Sequence, residues 1–196
     1  MTKTVEFYFD FGSPYSYLAH KALPAIAAAR GAQIVWRPML LGGVFKATGN
    51  HSPAEIPAKS KWMDDDMQRW AARYGAPFQR NPHFPINTLV LMRGAVGMQL
   101  RAGDFARYVD SVFHAMWAEP RNLGDPEEFA AVLRAAGFDA EAFLALVSDA
   151  AVKEALKNQT EAAVARGVFG APTFFVGKDM FWGQDRLDFV AEALAG

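Results

Sequence analysis

The 196-residue sequence contains no cysteine. That absence excludes disulfides, thiolate metal sites and any redox cycle run on the protein's own sulfur. Excess positive charge is missing too: 20 Lys and Arg stand against 21 Asp and Glu, a net charge of −1. A chain so balanced has no basic field to attract nucleic acid or an anionic membrane, and neither is expected as a partner. No apolar run approaches the roughly 18 residues that suggest a membrane span. The opening MTKTVEFYFDF enters a strand pattern almost at once and lacks the apolar stretch and small-residue cleavage site of a secretory signal, so the expected location is the cytoplasm. His20, His51, His83 and His114 include no pair at helical ligand spacing, and Asp64-Asp65-Asp66 reads as the solvated face of a helix. No metal is expected from them. A glycine-rich phosphate fingerprint and a G-x-S-x-G elbow are missing as well.

What is present is the composition of an ordinary globular protein, 52% hydrophobic and 21% charged, at a length suited to one domain or one domain with a large insertion. Val5 to Asp10 alternates and is rich in aromatics, the pattern of a strand. Gly12 breaks it, and Ser13-Pro14 is a helix-start signature. Tyr15, Leu18, Ala22 and Ile26 keep helical spacing up to Gly31; Pro24 removes the bond its N–H would make to His20, which predicts a kink or an early break. Ile34 to Met39 reads as a second strand, completing a β-α-β opening. From about Gly42 to Arg166 the pattern is helical, with helices expected over Pro57 to Tyr74, Thr88 to Arg101, Asp104 to Trp117, Pro126 to Ala136, Ala140 to Val147 and Asp149 to Arg166. Strands return at Thr173 to Val176 and Met180 to Trp182 around a Gly177-Lys178-Asp179 turn, and Asp185 to Leu194 closes the chain as a helix. This order predicts the α/β class, one domain interrupted by an all-helical insertion.

Three stretches carry chemistry. Ser13-Pro14-Tyr15-Ser16 places S-x-x-S at the strand-to-helix junction where thioredoxin-like redox proteins carry C-x-x-C. A helix N-terminus presents free N–H groups and partial positive charge, which stabilise an anion such as a thiolate. With no cysteine in the chain, that thiolate would have to arrive on a ligand; taken alone, Ser13 is simply an N-cap. In Val168-Phe169-Gly170-Ala171-Pro172-Thr173, a cis bond before Pro172 would turn the backbone of Ala171 toward a ligand lying antiparallel beside it, the ordinary trans bond being the simpler expectation. Phe181 to Arg186 precedes the last helix, where Asp185 is a candidate cap and its neighbours' backbone is suited to a carboxylate or an amine.

Together FYFDFGSPYSYLA, GVFGAPTFFV and FWGQDRL, supported by Ile56-Pro57-Ala58-Lys59 and Gln68-Arg69-Trp70-Ala71, give a chain that resembles the 2-hydroxychromene-2-carboxylate isomerases and the related kappa-class glutathione transferases over nearly its whole length. The resemblance implies a thioredoxin-like fold of the DsbA and kappa type, with residues 1–42 and 167–196 as the thioredoxin-like domain and 43–166, including the connecting helix, as the helical insertion. It implies glutathione as cofactor and a homodimer. Ser13 then matches the serine that hydrogen-bonds the glutathione sulfur and favours its thiolate, the sense in which it is catalytic. Ala171, with Pro172, matches the backbone that pairs with the cysteinyl part, and Trp182, Gly183, Gln184 and Asp185 match the segment holding the γ-glutamyl end. Asn50 and Lys59 have the nine-residue separation of an asparagine and a lysine near glutathione, the lysine being suited to the glycyl carboxylate. Lys46, and His83 or Phe84, fall where the isomerases contact substrate, here a small aromatic or enone carboxylate. Gln184, in place of the transferases' usual serine, leans toward the isomerases. The loop Arg80-Asn81-Pro82-His83-Phe84-Pro85 lacks the tyrosine of the naphthalene-pathway isomerases and leaves substrate identity open. Three activities stay in view: interconversion of 2-hydroxychromene-2-carboxylate and trans-o-hydroxybenzylidenepyruvate by reversible thiolate addition, a kappa-class-like transferase joining glutathione to small electrophiles, and a noncatalytic glutathione-binding protein.

Overall fold

Alternation along Thr4–Phe9 (β1) sends Val5, Phe7 and Phe9 to one face, where all three are fully buried. In the computed structural model, which describes residues 3–196, this strand lies inside a four-stranded sheet. Gln33–Pro38 (β2) pairs with it in parallel on one side, and Thr173–Val176 (β3) pairs antiparallel on the other, followed by Asp179–Trp182 (β4) at the edge, giving the order β2-β1-β3-β4. Cross-strand register stacks Phe7 on Phe174 with ring centroids 5.3 Å apart. The opposite face buries Tyr8 and Phe175 against Met39, Val44 and Val168. Arg166 closes that face: its guanidinium lies 3.9 Å from the Phe175 ring centroid and donates to Glu6 and the Tyr8 hydroxyl at 2.8 and 2.7 Å.

The connection between the parallel strands is the helix Pro14–Ala29 (α1), which is continuous through Pro24, so the early break anticipated from sequence does not occur. The bond missing at Pro24 is outweighed by burial of Tyr17, Leu18, Leu23 and Ala27 along one face, each large side chain contributing about 1.5–3 kcal/mol. Eight more helices follow among the described residues: Leu41–Thr48 (α2), Pro57–Tyr74 (α3), Leu89–Leu100 (α4), Phe105–Trp117 (α5), Pro126–Ala135 (α6), Ala140–Ser148 (α7), Ala150–Ala165 (α8) and Leu187–Ala195 (α9). α2 is not visible in the sequence because Gly42-Gly43 reads as punctuation. Gly43 is instead a place of close approach, where a Cβ would come within 3.1 Å of Thr160 on α8. Asp185 is not the cap of α9: a 3-10 turn, Gln184–Arg186, intervenes, and the Asp185 carboxylate pairs with the adjacent Arg186 at 2.7 Å.

The helices and the sheet share one apolar core that runs from Val5 and Phe7 through Phe113 and Trp117 to Phe143. Gly94 lets α4 approach its neighbours, since a Cβ there would run into the Tyr108 hydroxyl and sit 2.6 Å from Phe143. That hydroxyl donates to the Leu91 carbonyl at 2.8 Å. α1 is tied to α5 by Asp110, whose Oδ1 accepts from His20 Nε2 at 3.1 Å and Lys21 Nζ at 2.7 Å. Burial lowers the pKa of His20, and the hydrogen bonds from His20 and Lys21 hold Asp110 well below the usual carboxylate range.

Two helical glycines are expected to respond to alanine with opposite signs. Gly94→Ala should destabilise by about 1–2 kcal/mol, overpacking outweighing the gain in helix propensity, whereas Gly42→Ala, with open space around it, should be neutral or stabilise by up to about 1 kcal/mol. Urea unfolding midpoints measure both. Asp110→Asn should cost up to about 1 kcal/mol at pH 7, modest because the carboxylate is 60% exposed. A depressed acid stabilises above its unfolded pKa and loses that contribution as pH falls, so the gap between wild type and variant should close on acidification below about pH 4.

Candidate active site

β1 ends in a charge. Asp10 is 1% exposed, and its carboxylate accepts three hydrogen bonds: from the Gly12 amide at 2.8 Å, the Leu41 amide at 2.8 Å and the Thr88 hydroxyl at 3.1 Å. Burial raises the pKa of this carboxyl, and the three donors oppose that shift. Through them it fastens the β1–α1 loop, the start of α2 and the start of α4 to one point. The Asp10 carbonyl also accepts from the Ser13 amide at 3.0 Å.

Ser13 sits on that fastened loop as the N-cap of α1, with Pro14 at the first helical position. Its hydroxyl accepts from the Ser16 amide and donates to the Ala171 carbonyl, each at 3.1 Å. The expected cap and a donor at the cavity wall therefore reside in the same oxygen. Ser16, the second serine of the S-x-x-S frame, is fully buried and does not reach the cavity wall.

Four successive carbonyls before β3 are each held by a different part of the chain. Phe169 accepts from Asn50 Nδ2 at 2.8 Å, Gly170 from the Thr173 hydroxyl at 2.8 Å, Ala171 from Ser13, and Pro172 from the Gly183 amide at 2.9 Å. The Ala171–Pro172 peptide is cis. Gly170 is required by contact with Trp182, whose indole nitrogen would lie 2.6 Å from a Cβ at that position.

These elements border a cavity of about 890 Å³, toward the upper end of the size usual for small-molecule sites. Ser13, Asn50, Lys59, Phe84, Ala171 and Trp182 all lie on its wall. Pro172, Gly183 and Gln184 stand behind it: Pro172 and Gly183 are joined by the bond above, and the buried Gln184 presents its carbonyl to the Tyr74 hydroxyl at 3.0 Å. Asp185 is exposed beside Arg186. Lys46 and His83 are exposed and off the wall. α2 turns Phe45 to the cavity, and its neighbour Lys46, about 100° further round the helix, points elsewhere. In the loop before α4, the buried Asn81 donates to the carbonyls of Met116 and Arg121 at 3.1 and 3.0 Å and accepts from the His83 amide, an anchorage that leaves Phe84 at the wall.

The wall also carries groups not singled out in the sequence, among them Arg80, Ser60 and Tyr15. The Tyr15 hydroxyl donates to Asp66 at 3.0 Å, and burial together with that carboxylate raises its pKa. Trp117 borders the cavity only at its edge: it is buried, its ring packs between Phe78 and Phe84, and its indole N–H donates to the Phe11 carbonyl at 2.8 Å. Among the described residues, no cluster of His, Asp and Glu is placed to hold a metal ion, and no helix is long and apolar enough to cross a membrane.

A DSBA-like thioredoxin domain matches residues 4–195, which defines the class. Within it the chain is 36% identical to the 2-hydroxychromene-2-carboxylate isomerase of Sphingobium xenophagum, across 99% of each protein. The solved structure of a 2-hydroxychromene-2-carboxylate isomerase superposes with a TM-score of 0.85 at 36% identity, covering 97% of this chain and 94% of that one. A glutathione S-transferase kappa 2 of Caenorhabditis elegans is 32% identical, over 98% of this chain and 92% of that protein. The chain belongs to the 2-hydroxychromene-2-carboxylate isomerase family, to which the kappa-class transferases are related.

Asp10→Ala should leave three inward donors without their acceptor and destabilise the protein by about 3 kcal/mol or more, read from urea unfolding at pH 7.

Proposed function

We propose that the protein is a glutathione-dependent isomerase that interconverts 2-hydroxychromene-2-carboxylate and trans-o-hydroxybenzylidenepyruvate, working in the cytoplasm as a homodimer. The observation that carries this reading is the placement of the Ser13 hydroxyl, at the N-terminus of α1 and against the Ala171 carbonyl on a cavity wall, in a chain without a cysteine. Glutathione suits that wall. Ser13 is the hydroxyl for its sulfur, the Ala171 backbone before Pro172 pairs with its cysteinyl portion, Lys59 receives its glycyl carboxylate with Asn50 close by, and the segment Trp182–Asp185, which enters the wall through Trp182, holds its γ-glutamyl end. When bound, glutathione supplies a thiolate that adds to and later leaves the unsaturated carbon of the substrate, so that a double bond becomes transiently free to rotate.

The residues of this chain do the holding. Ser13 has one hydroxyl hydrogen, which the Ala171 carbonyl accepts. Turned toward an anion in the cavity, the same hydrogen stabilises negative charge there, and the positive end of the α1 dipole acts in the same direction. Asp10 and the tied carbonyls of residues 169–172 fix Ser13 and Ala171 relative to each other, so little reorganisation accompanies binding. Phe45, Met67, Phe84 and Trp117 give the remaining wall an apolar character suited to a flat aromatic substrate and to the exclusion of water. Kinship with the kappa-class transferases favours a second reading, transfer of glutathione to small electrophiles. Regeneration of glutathione marks the isomerase, and its stoichiometric loss with an adduct marks the transferase; tight binding without turnover would mark a binding protein.

Absorbance of 2-hydroxychromene-2-carboxylate followed with and without glutathione tests the proposal, which requires a glutathione-dependent change. Ser13→Ala should lower that rate by about 10²–10³-fold, the usual cost of removing one positioned donor, and lower stability by about 1 kcal/mol through loss of the cap. Ser13→Asp separates the two roles, because it keeps a good cap and sets a negative charge against the thiolate. It should fold with the cap kept but at reduced stability, because a carboxylate cannot donate to the Ala171 carbonyl as the buried hydroxyl does, and be inactive; a fully active, folded Ser13→Ala would remove Ser13 from the mechanism.

A further inference from the structure

Arg80 is a cation on the cavity wall with unspent hydrogen-bonding capacity. It leaves the loop between α3 and α4 and reaches across to α3, where Nη1 pairs with Asp64 and Nη2 donates to Ser60 Oγ at 3.1 Å. Ser60 and Asp64 are one helical turn apart, and both line the same cavity as Ser13. Lys46, the lysine expected to meet substrate, is off the wall, and Lys59 stands where the cofactor's carboxylate is proposed to lie. Beside Arg80 the wall is apolar and aromatic, through Met67, Phe84 and Trp117.

A guanidinium is a planar fork with five donors, matched to the two oxygens of one carboxylate. Here both terminal nitrogens are engaged by a carboxylate and a hydroxyl that belong to the cavity itself. The Arg80 and Asp64 side chains are 47% and 37% exposed, and an ion pair so open to water contributes little. Replacing Asp64 by the carboxylate of a ligand therefore gives up little, and the new pair gains strength as an aromatic ligand displaces water around it. Resting on the isomerase reading above, we propose that Arg80 is the receptor for the carboxylate of an aromatic, unsaturated acid. Asp64 is its place-holder in the free protein, and Phe84, backed by the buried Trp117, is the surface on which the ring lies. Arg80 thereby determines specificity for acids over the corresponding neutral enones.

The alternative is that Arg80, Asp64 and Ser60 form a strap that only ties the loop to α3, and the two assignments differ in sign. If the trio is a strap, Arg80→Met and Asp64→Asn break the same bridge and shift ligand affinity in the same direction. If Arg80 receives the carboxylate, Arg80→Met weakens acids and Asp64→Asn, by removing the competitor, tightens them. The probes are trans-2-hydroxycinnamate and its methyl ester, which differ only at the carboxylate, titrated by quenching of tryptophan fluorescence with and without saturating glutathione; Trp62 and Trp117 both line the cavity. We expect Arg80→Met to weaken the acid about tenfold or more, Asp64→Asn to tighten it severalfold, Arg80→Lys to fall between wild type and Arg80→Met, and the ester to change less than twofold in all variants. Acid affinity that moves the same way in Arg80→Met and Asp64→Asn, or is unmoved in Arg80→Met, overturns the assignment, as does wild-type protein that binds acid and ester alike. Glutathione-dependent turnover of the chromene alongside any of these results removes Arg80 alone and leaves the isomerase reading standing. Absence of that turnover with the expected affinity pattern does the reverse.

Discussion

The Asp10 carboxylate is the point from which the site is hung. β1 delivers a charged group into the interior, where it is tolerable only because three donors converge on it. Those donors come from the loop that carries Ser13, from the start of α2 and from the start of α4. One desolvated carboxylate thus sets where a helix N-terminus points, where Leu41 and Phe45 line the cavity, and how the loop preceding Thr88 approaches it. The charge is costly to bury, and its expense is met locally by geometry that the functional loops also need.

The second half of the site comes from the other end of the chain. Residues 169–172 would be an irregular run without internal hydrogen bonds, and each carbonyl there is satisfied from outside, by Asn50, Thr173, Ser13 and Gly183. The consequence is a rigid edge facing the hydroxyl of Ser13. Sheet register supplies the alignment, because β3 pairs directly with β1 and so brings the segment before it alongside the segment after β1.

Much of this was legible in the sequence, and what was not has identifiable causes. Strands with period-two alternation and helices with capping residues, such as Asp125 bonding the amides of Glu127 and Glu128, lie where the pattern places them because local and tertiary preferences agree there. Pro24 and the Gly42-Gly43 pair misled because tertiary burial and close helix packing override local propensity. Ser13, Asn50, Lys59, Phe84, Ala171 and Trp182 lie on one wall, since residues at element ends are positioned by the fold itself, while Pro172, Gly183, Gln184 and Asp185 lie off it. Lys46 and His83 were not, because a single residue's step round a helix or along a pinned loop turns a side chain from wall to solvent. Arg80 had no motif to mark it, and only the approach of its loop to α3 discloses it. Asp10 did leave a signal, a carboxylate at the end of a strand whose buried residues are apolar and aromatic.

Trp117 belongs to two surfaces at once. Its indole N–H is bound to the Phe11 carbonyl within the shared core, and its ring packs against Phe84 at 5.5 Å where the cavity begins. The cavity floor is therefore the outer skin of the hydrophobic core rather than an added layer. Any remodelling of the floor repacks the interior of the whole molecule, while the segments from Asn50 to Ile56 and from Gln79 to Phe84 rest on it and are held at discrete points, through Asn50, Gln79, Arg80 and Asn81, with other side chains between them free of the core. Evolution of a new ligand preference on this scaffold has its freedom in the rim, and the floor is held still by the requirement that the protein remain folded.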